Sequence, residues 1–125
     1  MAGTITIPDQ SIKSIGQSPS YSYDITATFD ASGDLGGEPI TVHPGYLMAV
    51  DTIPDGDNPP DDGYALQLLN EYGVDLLAGG GTNRAAAANQ RLVGKPSPVR
   101  GALYPTVSSG GAGGKVRIIL WIQGA

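Results

Sequence analysis

Alternation of apolar and polar positions predicts strands along most of this chain. Tyr21, Tyr23, Ile25, Ala27 and Phe29 fall on one side of an extended segment, with Ser22, Asp24, Thr26 and Thr28 on the other. A period of two sustained over this length is the mark of a half-buried strand. Thr4 to Ile7 alternates more weakly and reads as a short edge strand ending before Pro8. Turn clusters follow at Asp30 to Gly33 and at Gly36-Gly37. Pro39 to Ile53 holds one or two strands, ITV and YLMAVDTI, broken at His43-Pro44-Gly45, where proline removes a ladder donor and glycine permits a bend.

Pro54 to Gly63 is a proline-rich acidic loop without an apolar anchor, and so is expected to be exposed and mobile. Tyr64, Leu66 and Leu68 alternate with Ala65, Gln67 and Leu69, and Val74 to Leu77 answers them across Asn70 to Gly73. This spacing predicts a β-hairpin whose glycine takes the left-handed conformation. One short helix fits near residues 83–91, where Thr82 or Asn83 could cap an alanine run, though no apolar stripe supports it. Two last strands, Val99 to Val107 and Lys115 to Ile122, flank the linker SSGGAGG. In the final one Val116, Ile118, Leu120 and Ile122 face one way and Arg117, Ile119 and Trp121 the other, so its outer side is itself largely apolar and calls for a cover.

About seven to eight short strands separated by turn signals predict an all-β fold, an antiparallel β-sandwich or small barrel. At 125 residues the chain reads as a single domain, 1–125. Composition agrees, with 19 glycines, 10 prolines and 15% charged residues favouring turns over long helices. The absence of cysteine excludes disulfides and thiolate chemistry. No stretch of about 18 apolar residues suggests a membrane span, and MAGTITIPDQ does not read as an export signal.

Net charge is −5, but the two signs are segregated. Residues 1–75 hold all 12 acidic residues and one basic residue, a net −11, while residues 76–125 hold six basic residues and no acidic one, a net +6. Two readings follow: the halves neutralise each other across paired strands, or an acidic face of one subunit meets a basic face of another. The basic half lacks a lysine-rich stripe interleaved with aromatics, so nucleic acid is not an expected partner.

The residues offer little to catalysis. His43 is the sole histidine, it sits in a strand break, and no G-x-S-x-G elbow occurs. Asp55, Asp57, Asp61 and Asp62 share one Pro/Gly loop rather than a rigid, desolvated pocket, and their spacing misses that of a calcium-binding EF-hand. GGGTNR lacks the lysine and the flanking elements of a phosphate loop. Its glycines are instead expected to turn the chain sharply after Leu77. No enzyme activity, cofactor or metal is expected. Tyr72, at a turn, and Trp121, on an outer strand face, are the aromatics expected to make surface contacts, with a sugar platform as one possible use.

The segment Tyr64 to Arg84, with its strand, turn, G-V-D-L-L, glycine run and Asn-Arg, resembles small β-rich virion proteins of tailed bacteriophages, as does the closing KVRIILWI strand after a glycine-rich loop. The resemblance covers about the last half of the chain. It implies a capsid decoration or cement protein on the virion surface, assembled in the host cytoplasm. Its partners would be the major capsid protein and further copies of itself, with a trimer favoured; no membrane would be involved. Arg84, Arg91, Arg100 and Arg117 with Trp121 and Tyr72 are the candidate interface residues. A head-to-tail connector, a tail subunit and a carbohydrate-binding or host-attachment module are the alternative roles.

Overall fold

The computed structural model describes residues 4–15, 18–36, 38–77, 79–82, 84 and 88–124. They form an all-β, antiparallel structure of six strands: β1 (Thr4–Ile15), β2 (Ser18–Thr28), β3 (Ile40–Pro54), β4 (Ala65–Leu69), β5 (Gln90–Ser108) and β6 (Lys115–Gly124). The spatial order is β1-β2-β6-β3-β5-β4. Among the described residues the sheet does not close into a barrel: β1 stands at one edge and β4 at the other.

Six strands rather than seven or eight result from one fusion and one loss. ITV and YLMAVDTI are one strand, because the ladder crosses His43-Pro44 through an irregularity and resumes at Gly45. A Cβ on Gly45 would lie 2.1 Å from the Gln123 carbonyl oxygen, so glycine is required where β3 crosses β6. At the other end, β1 runs past Pro8 to Ile15. Its pairing with β2 shifts between Thr6 and Asp9, which puts the proline, lacking an N–H, at a bulge. Val74 to Leu77 does not form a strand; it adds a single bridge from Asp75 to Leu69, and the Leu76 N–H donates to the Leu68 carbonyl.

The helix expected near 83–91 is absent among the described residues. Arg84 bridges Tyr64, and Gln90 and Arg91 already belong to β5; Asn83 and Ala85 to Ala87 lie outside the described residues. The acidic loop is exposed over Gly56 to Pro59 and Asp61 to Gly63, as expected, and it is also tied to the strand ends. The Asp61 N–H donates to Gly110 and the Lys115 N–H to Asn58, and Pro60 is buried. Asp55 uses its carboxylate to accept from the Asp57 and Asn58 amides, a local turn that accounts for the Asp-Gly-Asp spacing.

One apolar cluster holds the elements together. Tyr23, Ile25 and Ala27 of β2, Ile118, Leu120 and Ile122 of β6, and Leu47 and Val50 of β3 supply one side. Leu66 and Leu68 of β4 join the same cluster with Leu103 and Val107 of β5. This is possible because β5 changes partners: Gln90 to Leu103 lies along β3, and Tyr104 to Ser108 lies along β4. Gly101, at φ +69°, stands just before the change. Residues of β2 and β4, towards opposite ends of the strand order, thereby share one apolar core.

The glycine run has a structural role. Gly79 adopts φ +81°, and the Gly81 carbonyl accepts from the Leu66 N–H, laying this segment along the free edge of β4. A Cβ on Gly81 would sit 2.0 Å from the Leu66 carbonyl oxygen. Gly81→Ala should therefore cost about 2–4 kcal/mol of unfolding free energy in a denaturant titration. Gly56→Ala, whose added Cβ meets open space, should stay within about 1 kcal/mol.

Candidate interface site

The face of the sheet turned away from the core is an ordered array, because cross-strand partners share a face. One row runs Asp24, Ile119, Asp51, Arg91 across β2, β6, β3 and β5. The next runs Ser22, Trp121, Ala49, Val93, and beyond it lie Gln123, Tyr46 and Pro98. Met48 is an extra residue in β3: Leu47 pairs with Ile122 and Ala49 with Trp121. Such a bulge reverses the alternation locally. Leu47 and Val50 stay in the core while Met48 and Ala49 both turn outward.

Two ion pairs frame this face. Arg91 places Nε 2.5 Å and Nη2 2.8 Å from the two Asp51 carboxylate oxygens, a two-pronged contact between direct cross-strand partners. Trp121 donates its indole N–H to the same carboxylate at 2.8 Å, and the Arg91 guanidinium carbon lies 5.8 Å from the Trp121 ring centre. Arg117 grips Asp24 in the same manner, with Nε 3.2 Å from Oδ1 and Nη2 against Oδ2. Hydrogen bonding from Arg91, then from Trp121, holds the Asp51 carboxyl below its ordinary range against the opposing effect of burial. Arg91 and Arg117 are each driven further above their already high values, first by hydrogen bonding to their aspartates and then by the charge of those groups.

Both pairs join the acidic half of the chain to the basic half. To that extent the segregated charge is neutralised within the fold, and the exposed sheet face that remains is mostly apolar. Tyr46, Met48, Val93 and Trp121, four of the six exposed large hydrophobic residues among those described, lie on it side by side. The remaining two, Tyr72 and Val74, sit at the turn after β4.

The candidate residues thus divide into three groups. Arg91, Arg117 and Trp121 come together on the sheet face. Arg100 and Tyr72 line a separate recess where β5 turns from β3 to β4. Arg84 is only half-exposed beside Tyr64; its Nε and Nη1 are enclosed and, among the described residues, have no hydrogen-bond partner. Asp51, which orders the central cluster, was not among the candidates. Its signal was present in the alternation, as an acidic residue at an outward position between apolar Val50 and Ile53, but its partner depends on strand order.

His43 is exposed. Its ring stacks on Tyr21 at 4.3 Å between centres, and its backbone N–H donates to the Tyr23 hydroxyl. Among the described residues no three acidic or histidine side chains gather as metal ligands. No protein-family model matches the chain, and no curated protein matches it.

Because Asp51 titrates below its unfolded value, its contribution to stability is complete above the ordinary aspartate pKa of about 3.9 and is lost as pH falls through the folded value. Acidification through a range below the ordinary aspartate pKa of about 3.9 should therefore release Trp121, seen as a shift in its fluorescence before global unfolding. Asp51→Ala should abolish that early step and cost about 1 kcal/mol, a modest figure because Arg91 is largely exposed.

Proposed function

We propose that this chain is a non-enzymatic structural protein of a tailed-phage virion, a decoration or cement protein that seats its open sheet face on the major capsid protein. One observation carries the reading: Tyr46, Met48, Val93 and Trp121 are exposed apolar side chains at neighbouring positions of paired strands β3, β5 and β6. Exposed apolar patches rimmed by polar groups are typical of protein interfaces. Trp121 supplies the aromatic anchor that such interfaces favour, and Asp51 and Arg91 hold it in place before any partner arrives. The paired charges at the rim add register more than affinity, since each is already partnered within the chain.

In this reading the sheet and its β4–β5 end make a β-sandwich, one layer of which faces the shell. Many weak contacts repeated over a lattice supply the strength, and neighbouring copies of the chain supply further contact. The likeness of Tyr64 to Arg84 and of the closing strand to small virion proteins supports the same assignment.

Quantitative mass spectrometry of purified particles tests it. A lattice protein should approach the copy number of the major capsid protein; a handful of copies per particle would instead indicate a connector or tail subunit, and absence from particles would end the proposal. Val93→Asp, at a position 70% exposed, should leave stability within about 0.5 kcal/mol. It should also lower particle occupancy about tenfold or more by placing a charge in an apolar contact.

A further inference from the structure

The turn after β4 presents Tyr72 in an unusual way, highly exposed yet firmly held. The residue is 75% exposed, more than any other large hydrophobic residue among those described. The backbone beneath it is fixed by Asn70, whose side-chain oxygen accepts from the Tyr72 N–H at 2.9 Å and the Val74 N–H at 3.0 Å. The Asn70 N–H donates to Val74 and the Gly73 N–H to Asn70, with Gly73 at φ +79°. An exposed aromatic on an ordered turn is preorganised for contact, since little freedom remains to be lost on binding.

Tyr72 lines a recess of about 190 Å³ with Asn70, Glu71, Pro98 and Arg100, over a floor that includes Val99 and Leu103. This is below the roughly 300–1,000 Å³ of drug-sized sites, leaving space for a single ring. One acidic and one basic side chain share the recess. The Glu71 Oε2 atom lies 3.9 Å from where a Cβ on Gly101 would be, beside Arg100. Among the described residues, neither Glu71 nor Arg100 takes part in an ion pair, in contrast to Arg91 and Arg117.

That pattern selects a ligand class. A strongly anionic ligand would meet Glu71 and a cationic one Arg100, while a purely apolar one would strip water from both without replacing their hydrogen bonds. A neutral molecule with an apolar face and adjacent hydroxyls satisfies every wall: C–H groups against the tyrosine ring, hydroxyl donors toward the carboxylate, hydroxyl acceptors toward the guanidinium.

We propose that the recess formed by Tyr72, Glu71 and Arg100 is a subsite for one ring of a neutral saccharide. This does not rest on the interface reading, because the residues are separate from the Trp121 cluster. Binding of one ring should be weak, with Kd on the order of 1 mM.

Saturation-transfer NMR on the full chain tests the proposal, using methyl glycosides of glucose, galactose, mannose and N-acetylglucosamine at ~10 mM, with sodium benzoate as a charged, aromatic control. Saturation should reach the ring C–H protons of at least one glycoside. Tyr72→Ala should weaken that binding about tenfold or more, and Glu71→Gln and Arg100→Ala should each weaken it severalfold. Tyr72→Phe and Trp121→Phe should leave it unchanged. Backbone amide spectra would establish that each variant remains folded. The proposal is overturned by absence of transfer to all four glycosides, by transfer that survives Tyr72→Ala, or by benzoate binding at this recess in preference to every sugar.

Discussion

Everything in this molecule depends on the register of β6 between β2 and β3. A strand's side chains alternate with a period of two, so a slip by one residue would carry Ile118, Leu120 and Ile122 out of the core and expose them. The same slip would part Arg117 from Asp24 and Trp121 from Asp51. Core and surface are thus specified together, by one strand that is apolar on its inner side and nearly so on its outer side. The bulge at Met48 refines this arrangement. Its extra residue brings a second apolar side chain to the face that β6 leaves uncovered.

The two aspartates joined to arginines show why segregated charge along a chain need not mean segregated charge on a surface. Antiparallel pairing folded the acidic first half against the basic second half, and Asp24 meets Arg117 across 93 positions of sequence. Direct ionic attraction between subunits consequently has less charge available than the sequence suggests. Shape and apolar area are left to provide most of any association, as in interfaces whose core is apolar and whose rim is polar.

Much of the fold could be read from alternation. β2 and β6 were legible because each has a clean inner and outer series, and Gly73 because a tight turn there requires a left-handed residue. Strand count was less legible, since His43-Pro44-Gly45 looks like a break when read alone but is tolerated as an irregularity in a long paired strand. Arg84 and Gln90 show the limit of propensity: among the described residues of the segment expected to be helical, Arg84 is committed to Tyr64 and Gln90 to Thr52 by backbone pairings that no local preference encodes. For the site, Trp121 and Arg117 followed from position on an outer face. Asp51, Glu71 and Pro98 did not, because their roles arise from which strands are neighbours. Strand order is a long-range property, and it is what a single sequence specifies least directly.

That strand order also bears on how the chain reaches its native state. The β1–β2 pair can form locally, but β2 finds its second partner only when a segment roughly ninety residues further along the chain arrives to fill the gap beside β3. Closing so large a loop costs entropy before any contact rewards it. Topologies dominated by distant pairings accordingly fold in milliseconds to seconds rather than microseconds. Until β6 is inserted, the inner edges of β2 and β3 and the apolar faces around them stand unpaired, making the interval before insertion the period of greatest exposure to misassociation.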